Sequence, residues 1–340
     1  MKKGYILIIA IAVHVLSSCS TKFDLYCDDE TTIIYAILDT EADTNFFKIT
    51  KSFLGNALEL SQDYEANNYD YDEIDVKFIG VFDDATQPDT IQLDTISKII
   101  PYNENSYFYS GIRQRYYFTD RKLKKGETYK IIVNRKSDGE TIWAQTKTTN
   151  TIRYIHPSAI AKINLVSRLD SVTWIVNDPS NNFHTTAAYY DVDGVFHYKE
   201  LMPGSTDTTN NFILWNICSD KPANLIMSNS SYQIYYHPNL FFDILENNNY
   251  LRENSPAGVQ RWIDKFELRI SSVGYELYAC HLSNVGNTIN IDVLDYSNIR
   301  NGRGLMSSRA CDRTFNVLSS STIYRIINNY DYGFIGESNK

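Results

Sequence analysis

The sequence predicts a mainly β protein: an N-terminal immunoglobulin-like β-sandwich followed by a second β-rich sandwich domain with one or two short helices. Among its 340 residues are 26 tyrosines and 16 phenylalanines, and aromatic and β-branched residues favour strands. Short apolar stretches alternate with turn residues and show little helical periodicity, which is typical of sandwiches. Even without residues 1–18, the chain exceeds the usual size of one hydrophobic core. We therefore expect two domains, at residues 31–150 and 151–336.

Residues 1–18 have the pattern of a lipoprotein signal peptide. Lys2 and Lys3 precede an apolar run from Tyr5 to Leu16, which only His14 interrupts. This run of 12 residues would span about 18 Å as a helix, well short of the roughly 30 Å hydrocarbon core of a bilayer. A cleavable signal therefore fits better than a membrane-spanning anchor.

The junction Leu16-Ser17-Ser18-Cys19 resembles a bacterial lipobox, which directs acylation of the cysteine and cleavage just before it. An ordinary secretory signal that contains a cysteine is the alternative. Two or more acyl chains hold a protein stably on a membrane, whereas one holds it only marginally. We therefore expect Cys19 to be the lipid attachment site and residues 19–30 to be a lipidated tether. The sequence does not decide between the periplasmic and the surface face of the outer membrane.

Residues 31–150 predict a series of strands, at residues 31–39, 45–55, 74–84 and 107–120. The clearest hairpin spans residues 127–149, where Ser137-Asp138-Gly139 separates two runs of alternating polarity. Asp-Gly between such runs is a strong hairpin signal. The alternating side chains of the two runs are Tyr129, Ile131, Val133, Ile142, Ala144 and Thr146.

Residues 149–167 are expected to link this domain to the next one. Beyond them we predict a second hairpin that turns at Asp193-Gly194, followed by further strands. Residues 239–254 and 274–286 depart from the strand pattern, because their apolar residues lie at roughly helical spacing. These two segments are the predicted helices, the second of which is expected to stop at Gly286.

Four cysteines remain after Cys19, and the spacing does not determine how they pair. One disulfide bond among Cys218, Cys280 and Cys311 fits an oxidising compartment. Buried free thiols that act as small apolar side chains are the alternative. The sequence contains no Cys-x-x-Cys motif and no cysteine at metal-ligand spacing from a histidine, so we expect no metal site.

The composition excludes several functional classes. The net charge of −9 disfavours nucleic acid, whose phosphates require clustered Lys and Arg. No nucleophile elbow, zinc-protease, P-loop or dinucleotide-binding motif is present, and the histidines are scattered singly. We therefore expect neither an enzyme nor a cofactor. The acidic loop at residues 61–73 lacks EF-hand spacing, which favours a solvated loop over a calcium site.

One aromatic cluster around residues 102–117 is a candidate binding surface. Aromatic rings beside arginines stack on sugar rings or anchor protein partners. Strand alternation would bury about half of them, so core packing is the alternative for any one residue. The candidate binding residues are Tyr107, Tyr109, Arg113, Arg115 and Tyr117.

The order of the later segments resembles a family of uncharacterised Bacteroidetes outer-membrane lipoproteins. The stretches concerned are VTWIVNDP, AAYYDVDGVFHYKEL, FELRISSVGYELY and YSNIRNGRGLMSS. Members often end with an Asn-Ile-x-Asn-Gly-x-Gly segment, which Asn298 to Gly304 match. This chain has Arg303-Gly304-Leu305 where members often have a bulky apolar pair.

The resemblance implies a lipid-anchored protein that binds rather than catalyses, as an accessory to nutrient uptake by a TonB-dependent transporter or beside another envelope protein. The sequence leaves open two other functions: a structural or adhesive protein of the envelope or a fimbria, and a surface hydrolase.

Overall fold

A computed structural model describes residues 26–27, 30–52, 55–56, 70–71, 73–82, 87–99, 113–177, 186–228, 231–286 and 296–337. The predicted signal segment, Cys19 and most of the tether lie outside these residues, as do Tyr107, Tyr109 and most of the acidic loop. The fold is mainly β with several sheets and few short helices, which confirms the predicted fold class.

Twenty strands are assigned in the part of the chain that the structure describes. In chain order they are β1 (Tyr26–Cys27), β2 (Thr32–Asp39), β3 (Asn45–Lys51), β4 (Gly55–Asn56), β5 (Ile74–Val81), β6 (Asp89–Ile91), β7 (Asp94–Ile99), β8 (Arg113–Thr119), β9 (Thr128–Arg135), β10 (Thr141–Lys147), β11 (Thr151–His156), β12 (Lys162–Ile163), β13 (Asp170–Asn177), β14 (Ala187–Leu201), β15 (Thr209–Pro222), β16 (Met227–Ser228), β17 (Ser231–Tyr236), β18 (Gln260–Gly274), β19 (Arg303–Leu318) and β20 (Phe334–Glu337).

The helices of the described residues are short and lie in the second half of the chain. They are α1 (Ala223–Ile226), α2 (Phe241–Glu246), α3 (Asn249–Glu253), α4 (Tyr275–Gly286) and α5 (Ser320–Asn329), and a 3₁₀ turn at Pro238–Leu240 precedes α2. The two predicted helical segments are confirmed, the first as α2 and α3 and the second as α4. Helix α5 is an addition to the prediction, and the Ser319 hydroxyl caps it by accepting a hydrogen bond from the Thr322 amide.

A ten-stranded sheet runs through both halves of the molecule, with the strand order β15-β14-β18-β19-β2-β3-β8-β7; β12 pairs with β19, and β20 with β18. One four-stranded sheet has the order β10-β9-β5-β6, and another has the order β11-β13-β17-β16; β1 and β4 form a separate pair. The two four-stranded sheets supply the opposing layers of two sandwiches.

The N-terminal sandwich encloses one hydrophobic core. Its aromatic centre is Phe78, whose ring lies 4.7 Å from that of Phe47 and 5.4 Å from that of Tyr129. Strands β9 and β10 form the predicted hairpin, and its six alternating side chains are no more than 2% exposed. Alternation therefore identified this half of the core correctly.

The C-terminal sandwich encloses a second core, around Trp174. This fully buried indole stacks on Tyr232, with centroids 5.8 Å apart, and meets the edge of Tyr190. Helices α2 and α5 close the core with Phe241, Phe242 and Ile326. The two cores fall largely on either side of residue 150; the proposed division at 150/151 stays a prediction.

Strand β19 belongs to both sandwiches. Its first half, Arg303 to Arg309, pairs in parallel with β2, whereas Arg309 to Asn316 pair with β18. Just before it, the segment that resembled the lipoprotein family packs on the N-terminal sandwich. Asn298 exchanges two hydrogen bonds with the Met306 backbone, and Ile299 is buried in the N-terminal core.

Two details of the sequence prediction are wrong. The chain does not turn at Asp193-Gly194, because β14 continues through both residues to Leu201. A Cβ atom at Gly194 would lie 2.6 Å from the Phe266 ring, so this glycine makes room for a neighbouring side chain. Residues 149–167 are not a plain linker either, since they contain β11 and β12.

Candidate binding pocket

A pocket of about 250 Å³ lies where β14 ends and β15 begins, beside α3. Its lining combines aromatic rings with amide side chains: Tyr198, Asn210, Asn211, Phe212, Asn248 and Tyr250. Among the described residues, no carboxylate and no lysine or arginine lines it.

The pocket wraps around the edge of the ten-stranded sheet. Asn211 and Phe212 are consecutive in β15, so their side chains point to opposite faces, yet both line the pocket. Within the described residues β15 pairs with β14 alone, which leaves its other side open. The pocket is therefore accessible from the side of the sheet.

Two exposed rings form its aromatic walls. Phe212 is 63% exposed and Tyr250 is 42% exposed, whereas Tyr198 is only 2% exposed at the base. Burial raises the pKa of Tyr198, and the hydrogen bond to Glu200 raises that of Tyr250. Both phenols are neutral at physiological pH, so the lining carries no charge.

The asparagines supply directed hydrogen-bonding groups. Asn248 caps α3: its side-chain oxygen accepts a hydrogen bond from the Leu251 amide at 3.0 Å, which leaves its amino group to act as a donor. The Asn211 amino group donates to Glu200 and to Thr209, which leaves its oxygen as an acceptor. The pocket thus offers donors and acceptors beside apolar ring faces.

A buried ion pair under the pocket holds these groups in place. The Tyr250 hydroxyl donates to Glu200 Oε1 at 2.6 Å, and Arg261 Nε donates to Glu200 Oε2 at 2.6 Å. Arg261 also donates to the carbonyl oxygens of Asn254 and Tyr332. Through these bonds the aromatic wall on α3 is fixed to β14 and β18.

The arrangement suits a neutral ligand that has both hydroxyl groups and an apolar face. The described lining residues include no pair of carboxylates, which glycoside hydrolysis requires. No cluster of metal-ligating side chains is found within the described ranges.

The aromatic cluster predicted from the sequence is divided by strand alternation. Arg115 and Tyr117 turn inward: Arg115 Nη1 donates to the Tyr71 carbonyl oxygen at 2.8 Å, and Tyr117 packs against the N-terminal core. Arg113 begins β8, while Tyr107 and Tyr109 lie outside the described residues. The role of all five candidate residues in binding stays a prediction.

The three candidate disulfide cysteines lie on different elements. Cys218 is in β15, Cys280 in α4 and Cys311 in β19, and the structure contains no disulfide bond among them. Cys218 and Cys311 are free thiols. Burial raises the pKa of the Cys218 thiol, which makes it less reactive.

Sequence reasoning missed the pocket. The pattern Asn-Asn-aromatic occurs five times in the sequence, and two of the copies, Asn210-Asn211-Phe212 and Asn248-Asn249-Tyr250, contribute to the pocket. The pattern alone therefore does not distinguish the pocket residues from the other copies.

Comparisons with known proteins add no family assignment. No protein-family model matches this chain, and no curated protein matches it. None of the helices in the described part of the chain is long and apolar enough to cross a membrane.

Proposed function

We propose that this chain is a lipid-anchored envelope protein that acts by binding, and that its pocket takes one ring of a neutral glycan. The observation that carries this proposal is the convergence of two exposed aromatic rings with three asparagines in an uncharged pocket. A sugar ring has the matching chemistry, because its C–H face packs on aromatic rings and its hydroxyl groups bond to amides.

The size of the pocket supports a single ring. Sites for drug-sized ligands occupy about 300–1,000 Å³, and this pocket of about 250 Å³ is smaller. Its open side along β15 leaves room for the rest of an oligosaccharide to extend into solvent.

The charge pattern supports a neutral ligand rather than an anionic one. The chain has a net charge of −9, and the carboxylate of Glu200 lies behind Tyr250. An acidic sugar would meet no cation in the lining to compensate its charge.

Anchoring is proposed from the sequence. The junction before Cys19 supports acylation, and the family resemblance supports an accessory role beside a TonB-dependent transporter of the outer membrane. A glycan-binding lipoprotein in that position would hold nutrient near the transporter.

The pocket is tested by calorimetric titration of the protein with neutral and acidic oligosaccharides. We expect a neutral sugar to bind, Phe212→Ala to weaken it several-fold, and Phe315→Ala to have no effect. Phe315 is a suitable control because it is 49% exposed on β19, away from the pocket lining. Equal affinity for Phe212→Ala and the native protein would rule out the pocket as the site.

Two further results would indicate one of the alternative functions instead. Hydrolysis of the bound oligosaccharide would indicate the surface hydrolase. Binding of glycans only when they are displayed on cells, with no uptake defect in a deletion strain, would indicate the adhesive protein.

A further inference from the structure

A second exposed surface, which we call the aromatic face, lies on the outer side of the N-terminal sandwich. It is formed by β2, β3, β8 and β7, away from the pocket. Its residues are Tyr35, Phe46, Lys48, Ile96, Lys98, Tyr116 and Phe118.

Strand pairing places these side chains on one side of the sheet. Tyr35 lies opposite Lys48, Phe46 opposite Phe118, and Ile96 opposite Tyr116. Directly paired residues of antiparallel strands point to the same face. The aromatic face is thus continuous across four strands.

Two of its four rings are exposed, two are half-buried, and two have a lysine beside them. Tyr35 is 56% exposed, and Phe46 and Ile96 are each 39% exposed. Lys98 Nζ lies 4.2 Å from the centre of the Phe46 ring. Lys48 lies over Tyr116, and its half-buried amino group donates to Gln114. Two acids lie beside these groups: Asp94 on β7, opposite Phe118, and Asp70, whose charge acts on Lys48 and Tyr116. An otherwise acidic protein therefore presents an apolar surface here, on which lysines offset the acids.

The proposed tether leaves the body close to this surface. Tyr35 is five residues from Glu30, a distance of about 17 Å along an extended chain. The 11 residue-to-residue steps from Cys19 to Glu30 can reach at most about 40 Å. A short tether gives the aromatic face a high effective concentration at the bilayer.

We propose that the aromatic face rests on the headgroups of the membrane that holds the tether. Tyrosine rings lie at the headgroup level of a bilayer, phenylalanine rings bury at its acyl boundary, and Lys98 beside them meets lipid phosphates. The remaining surface, which carries the net negative charge, is repelled by an anionic leaflet. This proposal uses the proposed anchoring for proximity but does not depend on the glycan pocket. It sets the orientation in which the pocket is presented.

The test measures how close two added tryptophans come to the bilayer. Phe46→Trp introduces one on the aromatic face, and Phe315→Trp introduces the matched control on β19. Each protein is held on vesicles of phosphatidylethanolamine and phosphatidylglycerol with brominated acyl chains, which quench nearby tryptophan. A hexahistidine tag in place of residues 1–19, bound to nickel-chelating lipid, supplies the tether.

We expect a loss of the added emission for Phe46→Trp and no comparable loss for Phe315→Trp. Tyr35→Glu, added to Phe46→Trp, should restore the emission. Equal quenching at both positions would overturn the proposal. The absence of quenching at position 46 would also overturn it and would leave a protein partner as the occupant of this face. Circular dichroism establishes that each variant is folded.

A parallel arm uses the full chain with its native modification. Suppose that this full chain does not float with vesicles but the tagged protein shows the quenching difference. The proposed acylation of Cys19 would then be wrong, and the proposed membrane contact would be supported.

Discussion

Arg261 and Glu200 form an ion pair deep in the C-terminal sandwich, with 2.6 Å between Arg261 Nη2 and Glu200 Oε2 and side chains 0% and 1% exposed. The pair joins β14 to β18, and Glu200 holds Tyr250 through its hydroxyl. The pocket wall and the sandwich core therefore share one polar network.

Loss of one member of this pair should be strongly destabilising. Arg261→Met leaves a buried carboxylate without its cation, and breaking such a pair costs about 3–5 kcal/mol. Urea unfolding at neutral pH measures this loss. We expect Glu200→Gln combined with Arg261→Met to cost less than the sum of the single variants, because the two residues interact directly. Additive losses would show that the pair is not coupled.

The Tyr250 hydroxyl should affect ligand binding more than folding. Tyr250→Phe keeps the ring but removes its bond to Glu200, a neutral-to-charged hydrogen bond worth about 1.5–3 kcal/mol at most. We expect the affinity for the neutral sugar to fall several-fold as the ring loses its fixed position, with the fold intact by circular dichroism. Tyr250→Ala should abolish binding, since it also removes the ring. Native affinity in Tyr250→Phe would contradict the positioning role.

Glu267 should make stability depend on acidic pH. Burial raises the pKa of its carboxyl, but hydrogen bonds from Arg269 and His197 outweigh burial, so its pKa lies below the usual range. A carboxyl with a lowered folded-state pKa adds stability above its unfolded pKa of about 4.3, and this is lost as the pH falls through the folded pKa.

The comparison of Glu267→Gln with the native protein isolates this effect. At pH 7 we expect the variant to be less stable by about 1.5–3 kcal/mol, the range for hydrogen bonds to charged groups. The difference in urea midpoint should shrink as the pH falls below 4. Glu253→Gln, at the exposed end of α3, serves as the control. A difference that stays constant between pH 7 and pH 3 would contradict the assignment.

Gly304 should tolerate no side chain. Its φ is +110°, and a Cβ atom would lie 2.1 Å from the Ile34 carbonyl oxygen on the paired strand. Gly304→Ala should therefore cost more than 3 kcal/mol, since it displaces backbone as well as straining φ (roughly 1–2 kcal/mol alone). Gly139→Ala is the matched control: it also has positive φ, of +74°, but nothing lies within 4 Å of the new atom. Similar losses at both sites, measured by thermal unfolding, would refute the close approach.

Cys19→Ala should release the protein from the membrane. Without acylation, no anchor of two or more chains can form. Membrane fractionation and mass spectrometry of the N-terminal peptide provide the measurement. A variant that still fractionates with the outer membrane would show that Cys19 is not the anchor.

The parts of the fold that follow from local pattern were predictable. The β9–β10 hairpin is specified within one stretch by alternation and by the Asp138-Gly139 turn, and it forms as expected. Asp193-Gly194 has the same residue pair but no turn, because the reason for its glycine is the ring of Phe266, far away in sequence. A residue pair alone does not show which distant side chain will pack against it.

The pocket could not be predicted for the same reason. Phe212 and Tyr250 meet only because β15 and α3 are brought together by the C-terminal core and by the Glu200–Arg261 pair. The aromatic cluster around β8 was visible in the sequence, but its candidates Arg115 and Tyr117 face inward, and the half-buried ring facing outward is that of Tyr116. Composition indicated where aromatic residues gather, and the strand faces were needed to separate them.

The double membership of β19 affects how the molecule is made. Strand β2 is synthesised at the start of the body, yet its parallel partner is encoded at residues 303–309, about 270 positions later. Such long-range pairing is slow because a large loop must close first. Until residues 303–309 have been synthesised, the early sandwich has an open flank, so the unfinished chain needs protection from aggregation until β19 arrives.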